Sequence, residues 1–230
     1  MRIFFGIIIG LVLAIGIAAT AANYAFGSLR DVSDRDKSKD VTETFDLTGF
    51  DEIDVGGVFE LDVTVGGDFS VVISGAPSEM ERLEAGVENG VLKLDRKEGQ
   101  RGAHRWRDFG LTAEITLPAL KSVDIAGVAD GRIEGVDADN FEIDLAGVGD
   151  LNIDGSCGRL DADVSGVGDL DAKGLECREV DIEVSGVGSA SVYASEAVDA
   201  SVSGIGSVDI YGSPSNVEKS SSFIASISVK

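Results

Sequence analysis

The residues with the most regular spacing in this sequence are carboxylates, whose oxygen atoms are the ligands that calcium prefers. They recur about every 20 residues and alternate with aliphatic residues, so stacking the repeats would align them in three outward columns. The columns are Glu142, Asp161, Asp181 and Asp199; Asp144, Asp163, Glu183 and Ser201; and Asp130, Asp150 and Asp169. The candidate metal ligands are Asp144, Asp163, Glu183, Asp150 and Asp169. We interpret the columns as a solvated surface that opposes aggregation and keep calcium binding as the alternative, so no cofactor is expected.

One short basic segment has side chains suited to contacting a partner, through charge and through an aromatic ring. The candidate contact residues are Arg101, His104, Arg105, Trp106 and Arg107. A solvated loop is the alternative interpretation of this segment. No pattern for an activated nucleophile, a phosphate loop or a zinc protease accompanies His104, the single histidine, so the sequence predicts no enzyme.

The two cysteines, Cys157 and Cys177, are one repeat apart. Each precedes an inward aliphatic residue by three positions, so they should occupy equivalent places on adjacent repeats. Their Cα atoms would then lie about 5 Å apart, which a disulfide can bridge. Because export would permit oxidation, we predict a disulfide, with two free buried thiols as the alternative.

A repeat must position all of these side chains. Five motifs of the Ser/Ala-Gly-Val-Gly-Asp type have their first glycines at Gly127, Gly147, Gly166, Gly186 and Gly204. Polar and aliphatic residues alternate around each motif, as in a β-strand with one buried face. A period near 20 residues predicts an all-β solenoid with about 20-residue rungs, each rung being one turn with two strands and a glycine corner. Calcium-binding β-roll repeats share a Gly-x-Gly-x-Asp pattern, but their nine-residue period favours structural corners here.

The region before the repeat has a different organisation. Residues 44–118 are predicted to form a β-rich cap with one short helix, opened by a capping box at residues 78–81 and closed by Gly86. Residues 119–230 are predicted to be the rungs, and the degenerate segment 223–229 is the last of them. The two parts together make one solenoid domain, residues 44–230.

The N-terminal segment indicates export. Residues 1–26 are predicted to be a signal peptide or a transmembrane helix, because an apolar run over residues 3–22 follows Arg2 and is long enough to span a bilayer. Residues 27–43 are predicted to be a polar linker. The expected location is the periplasm or cell surface, with anchoring in the inner membrane by residues 3–22 if the segment is uncleaved.

Composition excludes several classes of protein. The 230 residues carry a formal net charge of −22, which is incompatible with neutralising nucleic-acid phosphates. Hydrophobic residues make up 43%, too many for a disordered acidic chain. Most of the acidic excess falls in the repeat, where the outward columns lie.

The order of motifs resembles the GIN-domain family, described as putative auto-transporter adhesins. The resemblance rests on Phe50-x-x-Ile53-x-Val55-x-Gly57, Leu117-Pro118-x-Leu120 and the repeated glycine motifs, and it spans about residues 44–230. It implies a right-handed parallel β-helix in an exported bacterial protein with an adhesive role. No membrane barrel follows the repeat, so export through a barrel of its own is not expected.

These observations favour a non-enzymatic envelope protein, exported or membrane-tethered, with an adhesin-like or structural role. The expected partner is a protein or an envelope polysaccharide, and an oligomer is compatible with the sequence. The alternatives are a divalent-cation-binding surface protein and a carbohydrate-active β-helix enzyme. The enzyme is disfavoured because the repeat has almost no aromatic residues on which a sugar could stack.

Overall fold

The computed structural model describes residues 40–97 and 110–230, which form a single 15-stranded sheet wound into a solenoid. The strands before the repeat are β1 Val41–Phe45, β2 Glu52–Val55, β3 Val58–Val65, β4 Ser70–Gly75, β5 Leu83–Glu88, β6 Val91–Arg96, β7 Leu111–Leu117 and β8 Ser122–Ile125. The later strands are β9 Val128–Leu145, β10 Leu151–Val164, β11 Val167–Val184, β12 Val187–Val202, β13 Ile205–Tyr211, β14 Asn216–Ser221 and β15 Ser226–Val229. One helix, α1, spans Pro77–Met80. The predicted all-β solenoid is confirmed.

Successive rungs pair in parallel with the register that the repeat predicts. Phe141 lies beside Leu160, Leu160 beside Val180, and Val180 beside Val198. All four side chains are buried, because the alternation sends every second residue of each strand into the interior. The core is therefore a stack of aliphatic layers along the solenoid axis.

Each rung contains a third short run of pairing that the alternation pattern did not reveal. Between β9 and β10 the register shifts once, between Ile153 and Gly155, and Gly158 has no register partner, so β10 has paired runs at residues 151–153, 155–157 and 159–164. The short middle run buries Val136, Cys157, Cys177 and Ala194 in successive rungs. Because this side of the rung is so short, the alternation of inward and outward side chains cannot be recognised there from the sequence.

The region before the repeat supplies rungs as well as a cap. Strands β2 and β3 pair in parallel with β8 and β9 on one side and with β6 and β7 on the other. The β2–β3 rung is thus enclosed between two rungs that come later in the chain. Antiparallel strands β1, β4 and β5 cover the outer edge, since β4 pairs with β7 and β5 with β6.

The predicted helix is shorter than expected, and its capping box is wrong. Helix α1 begins with Pro77, Ala76 occupies the N-cap position, and no side chain caps the helix. The residues around Gly86 form strand β5 instead of the end of a helix. The hairpin from β5 to β6 turns through Asn89 and Gly90, both with positive φ, and this Asn-Gly pair is the sequence signal for such a turn.

No helix among residues 40–97 and 110–230 is long and apolar enough to cross a membrane. The predicted signal or anchor, residues 1–26, and most of the predicted linker lie outside the described residues.

Candidate functional site

A long groove of about 830 Å³ runs along one corner of the solenoid, parallel to its axis. Its floor is the first glycine of each motif, together with the equivalent glycine of the β2–β3 rung. These floor glycines are Gly57, Gly127, Gly147, Gly166, Gly186 and Gly204. The glycine corners predicted from the repeat are therefore also the floor of a surface groove.

The floor is glycine because successive rungs approach each other too closely for a side chain. A Cβ atom on Gly147 would overlap the carbonyl oxygen of Gly127 and lie 2.9 Å from the carbonyl carbons of Ala126 and Gly127. The Gly127 oxygen is fixed there because it accepts a hydrogen bond of 2.9 Å from the Val148 backbone N–H. The absence of a side chain at these glycines thus allows the rungs to approach closely and also leaves the floor of the groove open.

One wall of the groove is a ladder of half-exposed aliphatic side chains, which we call the valine ladder. It consists of the residue after each floor glycine, paired rung by rung: Val58, Val128, Val148, Val167, Val187 and Ile205. The opposite rim carries small residues, namely Ala126, Ala146, Ser165 and Ser185. The groove is therefore lined mainly by carbon.

The backbone polar groups of the floor already have partners. The N–H groups of Ala146 and Gly147 both donate to the carbonyl oxygen of Ile125, at 3.1 and 2.8 Å. The Gly147 carbonyl oxygen accepts from Val167 N–H at 3.0 Å, and the same pattern recurs at Gly127, Gly166 and Gly186. At these four corners the glycine N–H and C=O groups are thus already paired with neighbouring rungs.

A cluster of charged residues closes the groove at its N-terminal end, next to Phe59 and Leu111. Glu79 accepts from Arg82 at 3.2 Å and forms an ion pair with Arg96 at 3.3 Å. The side chains of Arg82 and Glu79 are only 9% and 11% exposed. Asp95 also lines this end. We call these four residues the charged end; they carry two charges of each sign.

The third carboxylate column has a structural task that sequence reasoning missed. Asp130 accepts from Asp150 N–H at 3.2 Å, Asp150 from Asp169 N–H at 3.0 Å, and Asp169 from Ser189 N–H at 2.7 Å. Each aspartate thus binds a backbone N–H of the next rung just after the glycine corner. Burial raises the pKa of Asp150, whereas the hydrogen bond from Asp169 opposes this rise.

The other two columns align as the repeat predicts and face solvent. Asp144 lies beside Asp163, and Asp163 beside Glu183. Partial desolvation, followed by repulsion from Asp144, Glu183 and Asp161, raises the pKa of Asp163. Asp124 extends this column by one rung, and its pKa is raised in the same direction. Within residues 40–97 and 110–230, no group of three or more His, Cys, Asp or Glu side chains is arranged to hold a metal ion.

The structure joins Cys157 and Cys177 in a disulfide between β10 and β11. The two residues are direct register partners, with Cα atoms 4.4 Å apart. The bridge links neighbouring rungs on their short third side.

The basic candidates Arg101, His104, Arg105, Trp106 and Arg107 lie outside the described residues. The groove residues that sequence reasoning passed over were visible in the sequence, since a valine or isoleucine follows each floor glycine. Alternation could not reveal their exposure, because a corner interrupts the period of two. The charged end had no signal, since Glu79 and Arg82, in and after α1, are separated in the sequence from Asp95 and Arg96 of β6.

A family model described as "Putative auto-transporter adhesin, head GIN domain" matches residues 49–214, nearly three quarters of the chain. The chain belongs to this family. A search among curated proteins found no match for this GIN-domain protein.

Solved structures of other bacterial proteins are similar to this GIN-domain protein, and one of them, with a TM-score of 0.71, shares its fold. A crystal structure of a putative adhesin from Bacteroides fragilis has 26% identity and a TM-score of 0.71, covering 84% of this chain and 98% of that one. A putative adhesin from Parabacteroides distasonis has 17% identity and a TM-score of 0.48, covering 83% and 97%. A protein described as a putative lipid binding protein, from the same organism, has 19% identity and a TM-score of 0.42, covering 84% and 96%.

Proposed function

We propose that this GIN-domain protein is a non-enzymatic, exported adhesin-like protein that holds its ligand in the groove over the glycine floor. The observation that carries the proposal is the groove itself, which is continuous over six rungs and lined mainly by carbon. Apolar concave surfaces with a few charged groups at one end are typical of binding sites. Membership of a family described as adhesins supports the same role.

The side chains of the groove favour binding over catalysis. Glu79 is engaged by Arg82 and Arg96, so its carboxylate is already occupied by structural contacts. The outward carboxylates repeat from rung to rung and form a surface, whereas acid–base catalysis needs a pair in contrasting environments. The described residues include no histidine and no free cysteine that could serve as a nucleophile or base.

The proposed location is the periplasm or the cell surface. The apolar run at residues 3–22 supports export, and a disulfide between Cys157 and Cys177 is suited to an oxidising compartment. The proposed ligand belongs to another protein or to an envelope polymer.

Adhesion of intact cells tests the proposal. Cells lacking the gene would be complemented with the wild type, with Val148→Arg in the valine ladder, or with Val41→Arg as the matched control on exposed strand β1. We expect cell fractionation to recover the wild-type protein from the periplasm or the cell surface, and adhesion to be restored by the wild type and the control but not by Val148→Arg. Cytosolic protein, or equal adhesion with and without the gene, would contradict the proposal.

A further inference from the structure

The length, lining and polarity of the groove indicate the class of ligand that fills it. We propose that the groove binds one extended alkyl chain, such as the acyl chain of a fatty acid or lipid, lying along the solenoid axis. This inference rests on the proposed function, because it names the occupant of the same groove.

The groove is long enough to hold a long-chain acyl group. The valine ladder takes five steps from Val58 to Ile205, and neighbouring strands are separated by about 4.8 Å, so the ladder is about 24 Å long. Because every rung adds the same glycine floor and the same branched wall residue, the cross-section repeats along that length. A uniform channel suits a ligand that is itself a uniform chain.

The chemistry of the floor disfavours the other extended ligands. A peptide strand would need backbone partners, but the N–H and C=O groups of four of the six floor glycines are already paired between rungs. A glycan would need hydroxyl partners and an aromatic platform, and Phe59, the aromatic residue that lines the groove within the part of the chain that the structure describes, is buried. An alkyl chain needs no hydrogen bonds and gains by leaving water.

The charged end gives the ligand a direction. Glu79, Arg82, Asp95 and Arg96 gather at one end of the groove, whereas Ile205 and Gly204 form the other. A ligand with a polar head would place that head at the charged end, where it keeps polar neighbours, and its tail along the valine ladder. The two rim serines lie beside the ladder and leave its carbon surface uninterrupted.

Binding of saturated fatty acids of increasing length tests this inference. All described strands share one core within residues 40–230, so a chain beginning at residue 27 keeps that core and lacks the predicted apolar segment, which would compete. Calorimetry would compare dodecanoic with hexadecanoic acid below their micelle concentrations. We expect the affinity to rise roughly two- to fourfold for each added methylene, until the chain fills the groove.

A polar variant of the valine ladder provides the matched comparison. The double variant Val148→Thr and Val167→Thr keeps the shape of the wall but adds two hydroxyls, and we expect it to weaken hexadecanoic acid binding by about tenfold or more. Val41→Thr, on exposed strand β1, should bind as the wild type does. Circular dichroism would check that all three variants are folded.

Three results would overturn the inference: no binding of hexadecanoic acid, an affinity independent of chain length, or equal binding by the double variant. Hexadecanoic acid would also fail to bind if another part of the protein's own chain filled the groove, and that result would equally overturn the inference. The adhesion assay separates the two proposals. If Val148→Arg abolishes adhesion while fatty acids do not bind, the groove binds a different ligand and only the alkyl assignment fails.

Discussion

Replacing Gly147 by alanine tests the physical origin of the groove floor. The added Cβ would meet the Gly127 carbonyl oxygen and crowd the carbonyl carbons of Ala126 and Gly127, all of them backbone atoms. Backbone cannot swing aside as a flexible side chain does, so the two rungs must separate at this corner. The hydrogen bond of 2.9 Å from Val148 N–H to the Gly127 oxygen would then be strained or lost.

The expected cost combines two effects of similar size. Forcing an extra methyl group into a packed site costs about 1–3 kcal/mol. Leaving a buried backbone group without its partner costs about 1–3 kcal/mol more. We therefore expect Gly147→Ala to lower the free energy of unfolding by roughly 3 kcal/mol or more, which in a chain of this size lowers Tm by about 6–12 °C.

Gly86→Ala is the matched control, because Gly86 also lies in a strand but a Cβ there would meet nothing within 4 Å. It should be neutral or stabilise by up to about 1 kcal/mol, since alanine has less backbone freedom in the unfolded chain. Thermal and urea unfolding followed by far-UV circular dichroism would measure both variants. Equal stability of Gly147→Ala and wild type would refute the argument that rung spacing requires these glycines.

Three further predictions concern the outward columns and the disulfide. The raised pKa of Asp163 means that its charged form is disfavoured in the folded state, so stability from this group is gained as pH falls. Asp163→Asn should therefore stabilise the protein slightly at neutral pH, by at most a few tenths of a kcal/mol because solvent screens this exposed carboxylate, and should lose that advantage in acid, as measured by urea unfolding against pH. Asp169→Ala should cost about 1 kcal/mol, because the Ser189 N–H loses its acceptor, whereas Asp169→Asn keeps an oxygen there and should cost less; equal losses would contradict the hydrogen-bonding role. Thiol labelling of the exported protein, unfolded without reductant, should leave Cys157 and Cys177 unlabelled, and replacing both by serine should cost about 3 kcal/mol; two labelled thiols would show that the bridge is absent.

The repeat could be predicted because every rung restates the same local pattern. Alternation identified the inward layers at Phe141 and Leu160, and the period placed Asp144 beside Asp163. When neighbouring rungs follow one another in the sequence, the repeat period alone predicts which residues pair between their strands. The enclosed β2–β3 rung escaped prediction for the opposite reason, since its partners β6 to β9 come later in the chain and local patterns carry no signal of such pairing.

The groove could be predicted only in part. The floor glycines were recognised as corners, yet the exposure of Val148 and its equivalents depends on how the chain turns there, which no periodicity expresses. The Asp150 column was interpreted as solvated surface or calcium ligand, whereas its carboxylates bind backbone N–H groups. The charged end needed the folded chain, because tertiary pairing brings Arg96 of β6 to Glu79 of α1.

The central claim, that the glycine-floored groove holds an extended alkyl ligand, is tested most directly by a crystal structure with bound hexadecanoic acid brominated at its terminal carbon. We predict continuous density along the valine ladder, with the carboxylate at the charged end and the anomalous bromine peak beside the ladder in the direction of Ile205. A groove filled by the protein's own chain, or a bromine peak elsewhere on the molecule, would contradict it.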